Sequence, residues 1–300
     1  MTSRRATHAG SWYSDGHREL NRQLDQWLNH ATADVASSGA RAIIAPHAGY
    51  AYCGETAAYA YKQVDPDRIE KIFILGPSHH VCLNGCAVSA CSKYRTPLYD
   101  LTVDQKVNQE LMASGAFETM DHRTDEAEHS IEMHLPYVAK VMQRRSCDSF
   151  TIVPILVGSL SSSKQANYGR ILAPYIADPH NLFVISSDFC HWGNRFHFTP
   201  YERNAGKPIH QQIESMDREG MSIIESLNPQ AFAEYLKRTQ NTICGRHPIC
   251  VMLQAAEHFR QMNNHRGDFR FLHYSQSNRV TSPSDSSVSY AAGALFITPR

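Results

Sequence analysis

Three things are missing from this 300-residue chain, and each absence removes a class of function. No apolar run approaches the roughly 18 residues that a bilayer-spanning helix needs, and the polar start, Met1 to His8, lacks a signal-peptide core. Membrane insertion and export are therefore not expected; the expected location is the cytoplasm, with the nucleus as a second compartment. Charge of one sign is not in excess, since 29 Lys and Arg balance 29 Asp and Glu. That removes the basic footprint of a nucleic-acid binder. The eight cysteines contain no CxxC pair, so in a reducing compartment they read as free thiols and not as a disulfide frame. Cys53, Cys82, Cys86, Cys91 and Cys147 are assigned to packing.

What is present supports a folded chain. The hydrophobic fraction of 42% is enough for a sizeable core. Leu20, Leu24, Trp27 and Leu28 recur at helical spacing, and the polar stretch from Ala31 to Ala40 ends that helix. Short β-branched runs follow at Ala42 to Ala45, Ile72 to Leu75, Thr151 to Val157 and Leu182 to Ile185. Between and beyond them lie helical patterns at Glu55 to Gln63, Val103 to Met112, Ile131 to Gln143, Lys164 to Ile176, Met221 to Leu227, Pro229 to Lys237, and from Pro248 through Phe259. Val288 to Ile297 reads as a late buried strand and Ser275 to Ser287 as a surface loop. The alternation predicts an α/β chain, one domain over residues 1–300, with a central, mostly parallel β-sheet flanked by helices.

Histidine is abundant at 17, and its placement carries the chemistry. Three strands end alike: Ile44-Ala45-Pro46-His47, Leu75-Gly76-Pro77-Ser78-His79-His80 and Ile185-Ser186-Ser187-Asp188-Phe189-Cys190-His191. The C-terminal edge of such a sheet is where ligands bind. Pro, Gly and Ser there are also ordinary turn chemistry, but the coincidence of His47 and His79 favours two metal ligands, with His80 a weaker neighbour. Asp188 and His191 stand three apart, a spacing at which side chains meet if the chain turns helical, and a carboxylate beside an imidazole can orient a ligand or tune an acid–base group. Cys244, in Thr242-Ile243-Cys244-Gly245-Arg246-His247-Pro248, precedes a helix and neighbours Arg246, a setting expected to favour thiolate. Asp125 to Tyr137 adds two histidines and several acids; on a helix Glu128 and Glu132 would share a face, and the stretch is expected to rim the pocket.

Taken together, PHAGY, GPSHH, EHSIEMHLPY, SSDFCHW and TICGRHP resemble the Memo family over nearly the whole chain, from His8 to Gly293. The resemblance implies a fold like that of class III extradiol dioxygenases, with His47 and His79 matching their metal histidines and His191 their acid–base histidine, which Asp188 would orient. Where those enzymes place a metal-binding carboxylate, this chain has Cys244. Two imidazoles and a thiolate suit iron or copper and also admit zinc, and the change puts ring cleavage in doubt. The family further implies a role in redox and cell-motility signalling, with phosphotyrosine segments of receptor tyrosine kinases or cytoskeletal signalling proteins as partners. A metal-dependent oxidoreductase or dioxygenase-like enzyme acting on a small molecule is the alternative.

Overall fold

Alternation along short strands builds the centre of the molecule. In the computed structural model, which describes residues 2–32, 39–262 and 265–299, a nine-stranded sheet comprises β1 (Ala42–Ala45), β2 (Lys71–Pro77), β3 (Cys86–Val88), β4 (Phe117–Thr119), β5 (Thr151–Val157), β6 (Asn181–Ser186), β7 (His191–Trp192), β8 (His265–Gln276) and β9 (Ser287–Pro299). Successive side chains leave a strand on opposite faces. Thus Ile43, Ile72, Ile74, Ile152, Leu182 and Val184 enter one core, while Ile44, Phe73, Val153, Ile155, Phe183 and Ile185 enter the other. Strands buried on both faces read as continuous apolar runs, as parallel strands do.

The helices are α1 (His17–His30), α2 (Tyr50–Tyr61), α3 (Gln105–Ala113), α4 (His122–Ala127), α5 (Leu135–Val141), α6 (Ser162–Ala177), α7 (Ile209–Glu225), α8 (Pro229–Thr239) and α9 (Arg246–Met262). Helices α1, α2 and α5 cover the first face through Leu20, Leu24, Tyr61 and Tyr137. Leu20 and Leu24 are fully buried, each contributing about 1.5–3 kcal/mol by leaving water. Helices α6 and α9 cover the second face through Leu172, Ile176, Ile249 and Leu253. Asp104 caps α3 by accepting from the Val107 amide, and Asn228 caps α8 by accepting from Ala231.

The strand order is β7-β9-β1-β6-β2-β5-β3-β4, with β8 paired on β9. The centre, β1-β6-β2-β5, is parallel throughout, as expected. Antiparallel pairs flank it on both sides: β9 with β1, and β3 with β5. Strands β3, β4 and β8 carry no apolar run of the kind sought in the sequence. The pattern over Ile131 to Gln143 is not one helix but a 3-10 turn, Glu132–His134, leading into α5 with Pro136 in its first turn. Helix α7 begins at Ile209, twelve residues before the expected Met221. Ser275 and Ser287 belong to strands and not to the loop between them. Part of the expected Ala31 to Ala40 loop lies outside the described residues.

Candidate metal centre

Strand order sets the site. Strand β6 lies between β1 and β2, with Ala45 paired to Ser186 and Leu75 to Ile185. The residues that follow these strands, His47, Asp188 and His79, therefore meet at one edge of the sheet. The loop bearing Cys244 reaches the same edge because residue 245 is glycine: a Cβ there would stand 2.3 Å from the Ser186 carbonyl oxygen. The Gly245 amide donates to Ser187 Oγ at 2.9 Å, fixing the approach.

Hydrogen bonds preset the imidazoles. The Ser186 hydroxyl donates to the Ser130 carbonyl at 2.7 Å, which can only accept, so Ser186 Oγ must accept from His47 Nδ1 at 2.6 Å and from His134 Nε2 at 2.8 Å. His134 Nδ1 then accepts from Tyr61 at 2.7 Å. With its proton on Nδ1, His47 presents an Nε2 lone pair, and Cys244 Sγ lies 3.2 Å from that nitrogen. His79 is held likewise: Glu128 accepts from the His79 amide at 2.6 Å and from Nδ1 at 2.9 Å. His191 Nδ1 lies 2.9 Å from the carbonyls of both Phe189 and Thr242, leaving its Nε2 free as well. Fixing one ring nitrogen through a carboxylate or carbonyl is how a metal ligand's tautomer is set.

Burial, reinforced by the neighbouring His79, keeps the His47 pKa well below its ordinary value, and burial alone lowers His134 to about 3. Both rings are neutral at pH 7. Burial opposes the charge on Glu128, but the His79 hydrogen bond and the amides of His79 and Ser130 outweigh it and hold the carboxyl at about 2. Asp188 accepts from the His47 amide at 2.8 Å, and its other oxygen lies 3.8 Å from His47 Nε2.

Three expectations are corrected. The Cys244 thiol is not driven toward thiolate. Burial and the Asp188 carboxylate push its pKa up, and Arg246, exposed and bonded to the Ile243 carbonyl, is too weak a counterweight. No helix follows Ser187 either: Asp188 and His191 approach each other because the loop turns into β7. Cys82 and Cys147 are exposed, whereas Cys53, Cys86 and Cys91 are buried as expected.

Ligand atoms of His47, His79 and Cys244 lie within 4.8 Å of one another, and so do those of Asp188, His191 and Cys244. The first set fits a transition ion: an ion bound at about 2.0 Å to nitrogen and about 2.3 Å to sulfur in tetrahedral geometry needs donors roughly 3.5 Å apart. His47, His79, Asp188 and His191 floor a cleft of about 510 Å³ walled by Trp12, His129, Arg195, Phe196 and Tyr290. The stretch from Asp125 to Tyr137, expected to rim the pocket, does so through His129, but sequence reasoning missed Glu128 as the anchor of His79 and Ser186 as the anchor of His47. The signal for Glu128 lay in EHSIEMHLPY, read as helix, though Glu128 is the end of α4 and His129 lies in the loop beyond it. Glu132 serves another purpose, buried against Arg4 Nη1 at 2.6 Å, His8 Nδ1 at 2.8 Å and Tyr13 at 2.9 Å.

Fold and site thus define an α/β protein with a histidine–thiol donor cluster at the C-terminal edge of a parallel sheet core. The family model of the Memo-like proteins matches residues 4–294, and the chain belongs to that family. It is 62% identical to the protein memo-1 homolog of Caenorhabditis elegans, over 99% of this chain and 84% of that one. It is 58% identical to MEMO1 of Xenopus laevis, over 98% and 97%, and 56% identical to MEMO1 of Homo sapiens, over 99% and 98%. The crystal structure of the uncharacterized protein JW3007 from Escherichia coli K12 superimposes with a TM-score of 0.48 at 15% identity, covering 83% of this chain and 98% of that one. Among the described residues no helix is long and apolar enough to cross a membrane.

Proposed function

We propose that the chain holds one redox-active ion, iron or copper, on His47, His79 and Cys244, and that this centre serves redox and cell-motility signalling in the cytoplasm and nucleus. The observation that carries the reading is the preset pair of imidazoles, each with Nδ1 hydrogen-bonded, converging with Cys244 Sγ within 4.8 Å. Two nitrogens and one sulfur suit iron, copper or zinc, and of these iron and copper supply one-electron chemistry when bound. The chain's residues bind and orient: Ser186 and Glu128 fix the rings, Asp188 braces the His47 backbone, and burial keeps water from His47. Phosphotyrosine segments of receptor tyrosine kinases, or cytoskeletal signalling proteins, are the proposed partners at the cleft, where Arg195 supplies a cation in the wall.

The cleft also favours a second reading, metal-dependent oxidation of a small molecule. Its volume suits such a substrate, and His191, with Nε2 free, could accept a proton there while Asp188 shapes the same floor. Anaerobic titration with Fe(II), Cu(I) and Zn(II), on the native chain and on Cys244→Ser, tests the centre. One ion per native chain is expected, with the variant weakened most for Cu(I), the softest ion; equal affinity in both proteins removes Cys244 from the ligand set. Oxygen uptake by the loaded protein in the presence of small phenols separates the second reading from the first.

A further inference from the structure

One fully buried carboxyl group has no part in the donor set. Asp217, on α7, is 0% exposed, and its partners are neutral donors. Oδ1 accepts from the Cys190 amide at 3.2 Å and from Asn241 Nδ2 at 2.9 Å, while Oδ2 accepts from the Tyr274 hydroxyl at 2.6 Å. Burial pushes its pKa up. A carboxyl group sunk among neutral donors stabilises a fold no better than apolar packing of the same shape does. What Oδ1 does is join two loops.

The two residues on that oxygen stand at the roots of loops that reach the cleft. Cys190 precedes His191, and Asn241 precedes Thr242, Ile243 and Cys244. Neither lies in a helix or strand. Beyond Oδ1 the two strips are held together by Thr242. Its Oγ1 accepts from the His191 amide at 2.7 Å and donates to the His191 carbonyl at 2.9 Å, and its own carbonyl lies 2.9 Å from His191 Nδ1. Past these bonds the side chains enter the floor of the site. The His191 ring lines the cleft, edge-on to Phe196 at 5.2 Å between centroids, and Cys244 stands within 4.8 Å of ligand atoms on both His191 and His47.

We propose that Asp217 is a positioning residue of the centre: from α7 it clamps the His191 strip to the Cys244 loop and so sets where the thiol and the His191 ring stand relative to His47 and His79. This rests on the reading of His47, His79 and Cys244 as the resident centre. Asp217 acts through Cys190 and Asn241 alone, as an outer partner that fixes a ligand does. Tyr274 occupies the other oxygen and takes no part in the clamp.

The test is anaerobic titration of Co(II), whose charge-transfer absorption reports thiolate ligation, into the native chain and into Asp217→Leu, Asp217→Asn, Asn241→Leu and Tyr274→Phe. Thermal unfolding and the His191 ring resonances of each metal-free protein are recorded beside it. Asp217→Leu is expected to bind about tenfold more weakly, with a reduced thiolate band and with His191 resonances displaced from those set by Phe196. Asparagine keeps an oxygen where Oδ1 stands, so Asp217→Asn should remain within about threefold of native. Tyr274→Phe should unfold at lower temperature yet keep native affinity, band and resonances, which a merely structural network does not predict. Asn241→Leu loses the loop half of the clamp alone and should weaken binding to a smaller degree, so it serves if Asp217→Leu does not fold. Native affinity and native His191 resonances in the folded leucine variants overturn the proposal. So does a Tyr274→Phe chain weakened as much as Asn241→Leu. A native chain that shows no thiolate band overturns instead the reading of Cys244, and the His191 resonances, recorded without metal, then decide the clamp by themselves.

Discussion

The imidazole side and the thiol side of the donor cluster are prepared in opposite ways. On the imidazole side every nitrogen not needed for a ligand is spent on a hydrogen bond: His47 on Ser186, His79 on Glu128, His191 on backbone carbonyls. These rings are oriented and ready. On the thiol side Cys244 sits beside the buried Asp188 with its pKa raised, its sulfur close to His47 Nε2 and to the Asp188 amide at 3.3 Å. That donor becomes a ligand only by giving up a proton. A site can thus be rigid in its nitrogens and conditional in its sulfur.

The harshest test of the rigid side is His47→Ala. Metal stoichiometry should fall to zero, and because Ser186 loses a buried donor the fold should weaken by about 1–3 kcal/mol. Metal analysis beside thermal unfolding reads both; full stoichiometry in the variant would show that the cluster is not the centre. Next in size is Glu128→Gln, which leaves His79 without its carboxylate and should cost about 10–100-fold in metal affinity. The native Glu128 carboxyl is held at about 2, below its unfolded value near 4.3. It therefore contributes stability above about pH 4.3 that is lost as pH falls toward 2, and acid unfolding of Glu128→Gln should be shallower in that window. Coincident acid profiles would remove Glu128 from this role.

The conditional side predicts smaller, sharper signals. Metal binding at pH 7 should release about one proton per chain from the thiol, and affinity should climb roughly tenfold per pH unit while the thiol stays protonated. Calorimetry in buffers of different ionisation heat measures this, and zero release would mean that sulfur is not a ligand. In the metal-free chain, brief alkylation should label the exposed Cys82 and Cys147 before Cys244, because partial burial and a raised pKa slow the Cys244 thiol. Cys244 labelling first would reverse the comparison.

Much of the architecture was legible because strands buried on both faces are written as apolar runs, and because His47, His79 and Asp188 directly follow them. Local reading fails where partners are remote. Glu132 looks like a helix-face acid until Arg4, His8 and Tyr13 are seen around it. Cys244 misled for the same reason: its helix and Arg246 are local, while the burial and Asp188 that set its pKa arrive by folding. Strand β8 hid because its charged residues, Arg266, Asp268 and Arg270, dilute the Phe269–Phe271 alternation that marks it.

The pairing of Ile44 with Gly293 places the first strand of the sheet core beside a strand made almost last. Contacts this distant in sequence are slow to form, because loop closure must be achieved before they reward it. On the ribosome, β1 waits with one edge open while nearly the whole chain is synthesised, so nascent protein halted before Ser287 should be prone to aggregate. The cleft wall at Tyr290 arrives with the same strand. A ribosome-bound chain can thus carry His47, His79 and Cys244 and still lack the closed cleft around them.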